Sequence, residues 1–206
     1  RLAAKYLAFV NYAFNAANGR FRNLLGYDRH WLEDSGSEDS HGRALWSLGY
    51  AASESADDGL VALSKNLFDA GLPAVEAFTS PRAWAFSLLG ICAHIRRFPG
   101  DSNARRFRDV LATRLLDLYT GGRTDDWPWF EQSLAYANAR LCESLLLAGH
   151  EMGRQDMVAA GLESLEWLFR VQIADQGHFS PIANPGWRRG EPRARFDQQP
   201  IEAQST

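Results

Sequence analysis

Apolar residues recur at three- and four-residue intervals along most of the chain, which is the spacing of amphipathic helices. Ser80-Pro81 is a typical helix start and Pro99-Gly100 a typical stop. Eight helices are predicted, over about residues 2–17, 42–53, 57–70, 81–97, 102–121, 128–149 and 154–172, and from 198 onwards. No convincing alternation of apolar and polar residues predicts a long strand, and short strand pairs inside the two long polar segments stay open.

The predicted helices contain a weak internal repeat. Residues 43–49 (RALWSLG) resemble residues 82–90 (RAWAFSLLG), and residues 138–149 repeat the pattern more faintly. Self-similarity of this kind is typical of stacked helical hairpins. The even-numbered helices are apolar around most of their circumference, whereas the odd ones carry charge on one face. The pattern predicts an all-α fold, an incomplete (α/α) toroid in which inner and outer helices alternate.

The whole chain, residues 1–206, is expected to form one domain of this toroid. Arg1 opens inside a helical pattern, and the last helix has barely begun at Thr206. The sequence therefore reads as a fragment truncated at both ends, and an apolar edge exposed by truncation would favour association between copies.

Composition and charge narrow the class of protein further. Of the 206 residues 46% are hydrophobic and 12% aromatic, as expected of a globular chain, and the net charge is −3. No basic field favours nucleic acid, and no apolar run is long enough to span a membrane. Cys92 and Cys142 lie in apolar helix patterns typical of reduced core thiols, although a disulfide between them stays open. A cytoplasmic protein without cofactor or metal is expected.

The segments that lead into alternate helices suggest where a site lies. In a double ring the inner helices run parallel, so these segments meet at one end, where helix N-termini present unpaired N–H groups. The segments are residues 34–43, 79–82, 125–131 and 195–202. Three of them concentrate carboxylates, amides and aromatic rings, whereas the turns at the opposite end are plain.

Carbohydrate recognition uses this mixture, because aromatic faces cover the C–H patches of a pyranose while carboxylates, amides and arginine bind its hydroxyls. Hydrolysis of a glycosidic bond needs two carboxyl groups across the cleft. The candidate catalytic residues are Asp39, Asp126, Glu131 and Glu202. The candidate substrate-binding residues are His41, Arg43, Trp127, Trp129, His178, Asp197, Gln198 and Gln199.

The hairpin pattern, together with residues 34–43, 127–131 (WPWFE), 177–180 (GHFS) and 196–202 (FDQQPIE), resembles the six-hairpin glycosidase-like (α/α)6 domains. More narrowly it is similar to the helical domain that follows the catalytic domain in some bacterial proteins classed as glycosyltransferases. The resemblance covers nearly the whole chain and implies a carbohydrate ligand at the helix-start end. A complete toroid of that family has twelve helices, so eight helices predict an incomplete one.

Several alternatives stay open. Asp34, Glu38 and Asp39 are equally typical of helix caps. The tryptophan pair, Trp127 and Trp129, is equally typical of a hydrophobic staple. His41 or His178 could join Asp126 or Asp197 at a metal, but their spacing does not indicate one, so no metal is predicted. Arg188, Arg189, Arg193 and Arg195 form a basic run that fits an anionic sugar or a solvated loop.

At the level of function, the leading expectation is a carbohydrate-active enzyme, either glycoside hydrolase-like or part of a glycosyltransferase. A non-catalytic glycan-binding or scaffold module is the first alternative. A terpenoid-cyclase-like toroid is a further alternative, but it requires a more apolar site. A purely structural helical repeat is the last, but it does not require the observed concentration of carboxylates and tryptophans.

Overall fold

The computed structural model describes residues 2–206, and helices account for most of them, which confirms the all-α class. The helices are α1 (Leu2–Ala13), α2 (Glu38–Glu54), α3 (Asp58–Gly71), a 3₁₀ helix (Leu72–Ala77), α4 (Pro81–Arg97), α5 (Ser102–Gly122), α6 (Ala139–Met152), α7 (Gln155–Val171) and α8 (Pro200–Ser205). Four two-residue strands form two antiparallel pairs, β1 (Phe14–Asn15) with β2 (Arg20–Phe21) and β3 (Ser133–Leu134) with β4 (Trp187–Arg188).

Three predicted helix boundaries are wrong. The first helix ends at Ala13, because the next two residues pair with β2 in a hairpin. The second begins at Glu38, since the Ser37 hydroxyl accepts a hydrogen bond from the Ser40 N–H and caps it there. The sixth begins at Ala139 and not near Pro128, because β3 interrupts the segment between them.

The chain forms two compact units, here called unit 1 (residues up to Leu111) and unit 2 (Ala112–Thr206), and the boundary lies within α5. In unit 1, α2 packs against both α3 and α4, and α3 packs against α1. α4 is the centre of this unit, with 13 of its 17 residues buried, as predicted for a helix enclosed on all sides.

Two glycines allow α2 and α4 to approach closely. A Cβ atom on Gly49 would lie closer than 3.0 Å to the backbone of Gly90, and one on Gly90 closer than 3.0 Å to the carbonyl of Leu45. These are the glycines that end the two best-matching copies of the sequence repeat. The repeat therefore encodes the contact between the two helices.

In unit 2, α6 and α7 form a helical hairpin closed by Gly153 in the left-handed conformation (φ +68°). Two long segments complete the unit, residues 123–138 and 172–199, and they are joined where Leu134 pairs with Trp187. α8 follows the second of these segments. The closure of the helices into a toroid stays a prediction.

None of the helices among residues 2–206 combines the length and the apolar composition that crossing a bilayer requires.

Candidate functional site

The starts of α2 and α4 lie together in unit 1, as expected for parallel neighbouring helices. The Glu38 carboxylate accepts hydrogen bonds from the backbone N–H groups of Thr79 (2.8 Å) and Ser80 (2.7 Å). The Ser80 hydroxyl donates to Asp39 at 3.2 Å. Asp39 is therefore a partly buried carboxylate in the first turn of α2 that connects two helix N-termini.

His41 lies inside α2, not in a loop, and its side chain is fully buried. Its ring packs between those of Phe21 and Phe78, with centroids 5.0 and 5.2 Å away. The Phe21 N–H donates to Nδ1 (3.3 Å), and Nε2 donates to the carbonyl of Gly71 (3.0 Å). Burial lowers the pKa of His41 to about 4, so the imidazole is neutral at pH 7 and both nitrogens are used within the core.

Arg43, two residues further along α2, has its guanidinium 4.1 Å above the ring of Phe86 on α4. This cation–π contact gives Arg43 a packing role between the two helices. The three predicted site residues of unit 1 thus lie near one another at the start of α2, and each has partners within the protein.

In unit 2 the predicted tryptophan platform is a buried cluster. Trp127 and Trp129 are 3% and 0% exposed. Trp127 makes edge contacts with Trp167 on α7 (4.7 Å) and Trp187 on β4 (5.0 Å), and its Nε1–H donates to the Glu131 carbonyl. Both side chains are buried, so in this structure neither tryptophan offers a surface to a sugar.

Asp126 is exposed and held in its charged form. Nη2 of Arg189 donates to both carboxylate oxygens (2.7 and 2.8 Å), and the Thr124 hydroxyl donates to one of them (2.7 Å). The hydrogen bonds from Thr124 and Arg189 lower the pKa of Asp126. A general acid needs a raised pKa, so these contacts suit an ionised role and not proton donation. Glu131, partly buried, follows in the same segment.

Glu202 in the first turn of α8 is 1% exposed. It accepts hydrogen bonds from the side-chain amide (2.7 Å) and backbone N–H (3.3 Å) of Asn138, the residue that precedes α6. Glu202, Tyr136, Asn184 and Gln199 line a recess of about 80 Å³ beside this contact. The starts of α6 and α8 are thus joined through a carboxylate, as those of α2 and α4 are.

Unit 2 contains an open cleft of about 640 Å³. Residues 173–176, 178–180, 192–195 and 198 line it. Two predicted site residues, His178 and Gln198, are among them. Asp197 and Gln199 flank Gln198 in the chain and are exposed, and Asp197 adopts the left-handed conformation (φ +64°).

Local hydrogen bonds shape this cleft. A tight turn places Gly177 at φ +81°, with the Ala174 N–H donating to the carbonyl of His178. The guanidinium of Arg193 donates to the carbonyls of Val171 and Ser180, which ties the two sides of the cleft together. The side-chain amide of Gln198 donates to the Ser180 hydroxyl at 3.1 Å.

The lining residues that were not predicted as site residues include four with charged or aromatic side chains: Asp175, Phe179, Arg193 and Arg195. Phe179, 38% exposed, could have been found from its place in the segment GHFS, between a turn and a polar stretch. The two arginines belong to the basic run noted above. Asp175 carried no signal beyond that of an ordinary turn residue.

A group that could hold a metal lies apart from this cleft, in unit 1. Ligand atoms of Asp69, His94 and Asp101 lie within 4.8 Å of one another. Lys65 pairs with Asp69 (2.5 Å), and Nε2 of the buried His94 is 3.0 Å from Asp101, which also caps α5 through the Ala104 N–H. These internal partners explain the cluster as one ion pair and a set of hydrogen bonds that join α3, α4 and the start of α5.

Comparisons with known proteins identify no relative: no family model, no curated protein and no solved structure matches the chain. Its function has to be inferred from the chemistry of its own side chains.

Proposed function

We propose that the protein binds carbohydrate in the 640 Å³ cleft of unit 2. The observation that carries the proposal is the composition of the lining. An exposed aromatic ring, Phe179, lies among groups that hydrogen-bond hydroxyls, including His178, Ser180 and Gln198. A pyranose presents C–H patches to such a ring and hydroxyls to such polar groups. The volume lies within the range of small-molecule sites.

The same lining favours binding over cleavage. Hydrolysis of a glycosidic bond uses two carboxyl groups on either side of the bond. Among the described residues that line the cleft, Asp175 is the one carboxylate. The predicted catalytic residues of unit 2, Asp126, Glu131 and Glu202, do not line it. A glycan-binding module is therefore the function that these residues support best.

The resemblance of residues 196–202 to six-hairpin glycosidase-like domains points to the same ligand class. Gln198 belongs to that segment and lines the cleft. Its neighbours Asp197 and Gln199 are exposed beside it and are available to a ligand that extends beyond the cleft.

Isothermal titration with a panel of neutral and acidic oligosaccharides tests the proposal. We expect at least one sugar to bind saturably, and His178→Ala or Gln198→Ala to weaken it roughly tenfold, since each removes hydrogen bonds to the ligand worth about 1 kcal/mol or more. His150→Ala and Gln155→Ala are matched controls, because they remove the same side chains from exposed positions of α6 and α7 that do not line the cleft. Absence of saturable binding across the panel, with the fold intact by circular dichroism, would contradict the proposal.

A further inference from the structure

The cleft has an excess of positive charge. Two guanidinium groups, Arg193 and Arg195, line it against a single carboxylate, Asp175, among the described residues. Glu191 and Asp197, the carboxylates beside the lining residues in the sequence, do not line the cleft. Arg189 forms an ion pair with Asp126, and neither of these two lines the cleft. Two arginines in a small cleft create a local field that attracts anions.

The two arginines differ in what they are free to do. Arg193 is committed to the carbonyls of Val171, at the end of α7, and of Ser180, so it shapes the cleft. Arg195 is exposed and forms no hydrogen bond or ion pair within residues 2–206. Its planar fork of donors is therefore available to a ligand.

We infer that the cleft prefers sugars carrying an anionic group, a carboxylate or a phosphate ester, and that Arg195 binds that group. The inference rests on the proposed carbohydrate function of the cleft. A guanidinium matches the paired oxygens of a carboxylate or a phosphate in a bidentate contact. Asp175 repels the same group, so the anion is directed away from the turn at Ala174–Gly177 and toward Arg195. The sugar ring then occupies the part of the cleft that Phe179 and Gln198 line.

Pairs of ligands that differ in the anionic group measure its effect on affinity. A galacturonate tetrasaccharide is compared with its carboxyl-reduced form, and a hexose 6-phosphate with the free hexose. We expect one of the acidic ligands to bind about fivefold tighter than its neutral partner at low ionic strength, a modest factor because Arg195 is exposed to solvent. The advantage falls as salt is added, since salt screens exposed charges. The ligand pair that shows the advantage identifies the anion as a carboxylate or a phosphate.

Variants assign the preference to one side chain. Arg195→Gln should abolish the advantage of the acidic ligand and leave the neutral ligand unaffected. Arg188→Gln, which removes an exposed arginine of the same segment outside the lining, should keep the advantage. Asp175→Asn should increase it, because the repelling carboxylate is gone.

The possible outcomes distinguish a failure of the anionic preference from a failure of the proposed carbohydrate binding. Equal binding of acidic and neutral partners would overturn the anionic preference but leave carbohydrate binding in place. Equal losses with Arg195→Gln and Arg188→Gln would attribute the effect to overall charge and overturn the role of Arg195. Absence of binding by every ligand would overturn both the inference and the proposed function.

Discussion

His41 shows how a single residue can be fixed by its surroundings alone. Its imidazole is enclosed by Phe21 and Phe78, and it bridges the backbone of β2 and the last residue of α3. Both bonds require the neutral ring with the proton on Nε2. Protonation would place a charge in an apolar enclosure and convert the acceptor Nδ1 into a second donor facing the Phe21 N–H.

The protein should therefore lose stability in mild acid because of this residue. The pKa of His41 is about 4 in the folded chain against an ordinary value of 6.5. A pKa lowered on folding means that the unfolded chain binds the proton first, so stability is present above pH 6.5 and is lost as the pH falls toward 4. Between pH 7 and pH 5, His41 is expected to lower the free energy of unfolding by about 2 kcal/mol.

Urea unfolding of wild type and His41→Gln at both pH values measures this contribution. Glutamine offers an amide in place of the imidazole but does not titrate, so the variant should lose about 2 kcal/mol less than wild type over the same interval. An identical pH dependence in the two proteins would show that His41 does not remain neutral in the folded state.

Burial by distant parts of the chain explains why residue types alone could not locate the site. The pair Trp127 and Trp129 has the composition of a sugar platform, but the rings that cover it lie on Trp167 and Trp187, 40 and 60 positions from Trp127. Such contacts depend on the tertiary arrangement of α7 and β4. His178 and Gln198, which line the cleft, were predicted from the polar segments that contain them.

At the scale of elements, the glycine contact between α2 and α4 should be highly sensitive to substitution. Gly90→Ala would press a methyl group against the Leu45 carbonyl, and backbone cannot yield as a side chain does. Overpacking of this kind costs typically about 1–3 kcal/mol, which exceeds the roughly 1 kcal/mol that alanine gains over glycine in a helix. We expect a clear net destabilisation of unit 1.

Gly121→Ala in α5 is the matched control, because nothing lies within 4 Å of the added Cβ and no positive φ opposes it. This variant should be neutral or slightly stabilised, by up to about 1 kcal/mol. Denaturant unfolding of both variants tests the contact. If Gly90→Ala proves as stable as Gly121→Ala, the two helices are further apart than the structure places them.

Helix boundaries could be predicted where local chemistry sets them. The start of α4 follows from Ser80-Pro81, and the ends of α3 and α5 from glycines. The start of α6 could not be predicted, because β3 pairs with β4 more than 50 residues later. Asn138 precedes α6 without capping it through its side chain, which binds Ala135 and Glu202 instead.

At the scale of the whole molecule, the two units share a local design. In each, a carboxylate in the first turn of one helix binds groups at the start of another: Glu38 at the start of α4, and Glu202 at the start of α6. Negative charge at helix N-termini is favourable because it complements unpaired N–H groups. Within each unit, a carboxylate at a polar helix start thus joins two helices, and the convergence of all the polar helix starts at one end stays a prediction.

Each unit also contains one fully buried cysteine that forms no disulfide, Cys92 in unit 1 and Cys142 in unit 2, in agreement with the predicted core thiols. Burial raises the pKa of Cys142 to about 12. The reactive thiolate is therefore rare as well as inaccessible. In the native protein both thiols should react at least about a thousandfold more slowly with iodoacetamide than an exposed thiol, because reaction requires opening of the surrounding unit.

Mass spectrometry of the labelled peptides follows the two cysteines separately as urea is increased, with Ala159→Cys, exposed on α7, as the reference for an accessible thiol. Each buried thiol should become reactive only when its own unit opens. A saturating sugar should slow the labelling of Cys142 further, since a ligand that binds only the folded cleft stabilises unit 2 against opening. Prompt labelling of either cysteine without urea would contradict the buried cores, and labelling of Cys142 unaffected by a sugar that binds would place that sugar outside unit 2.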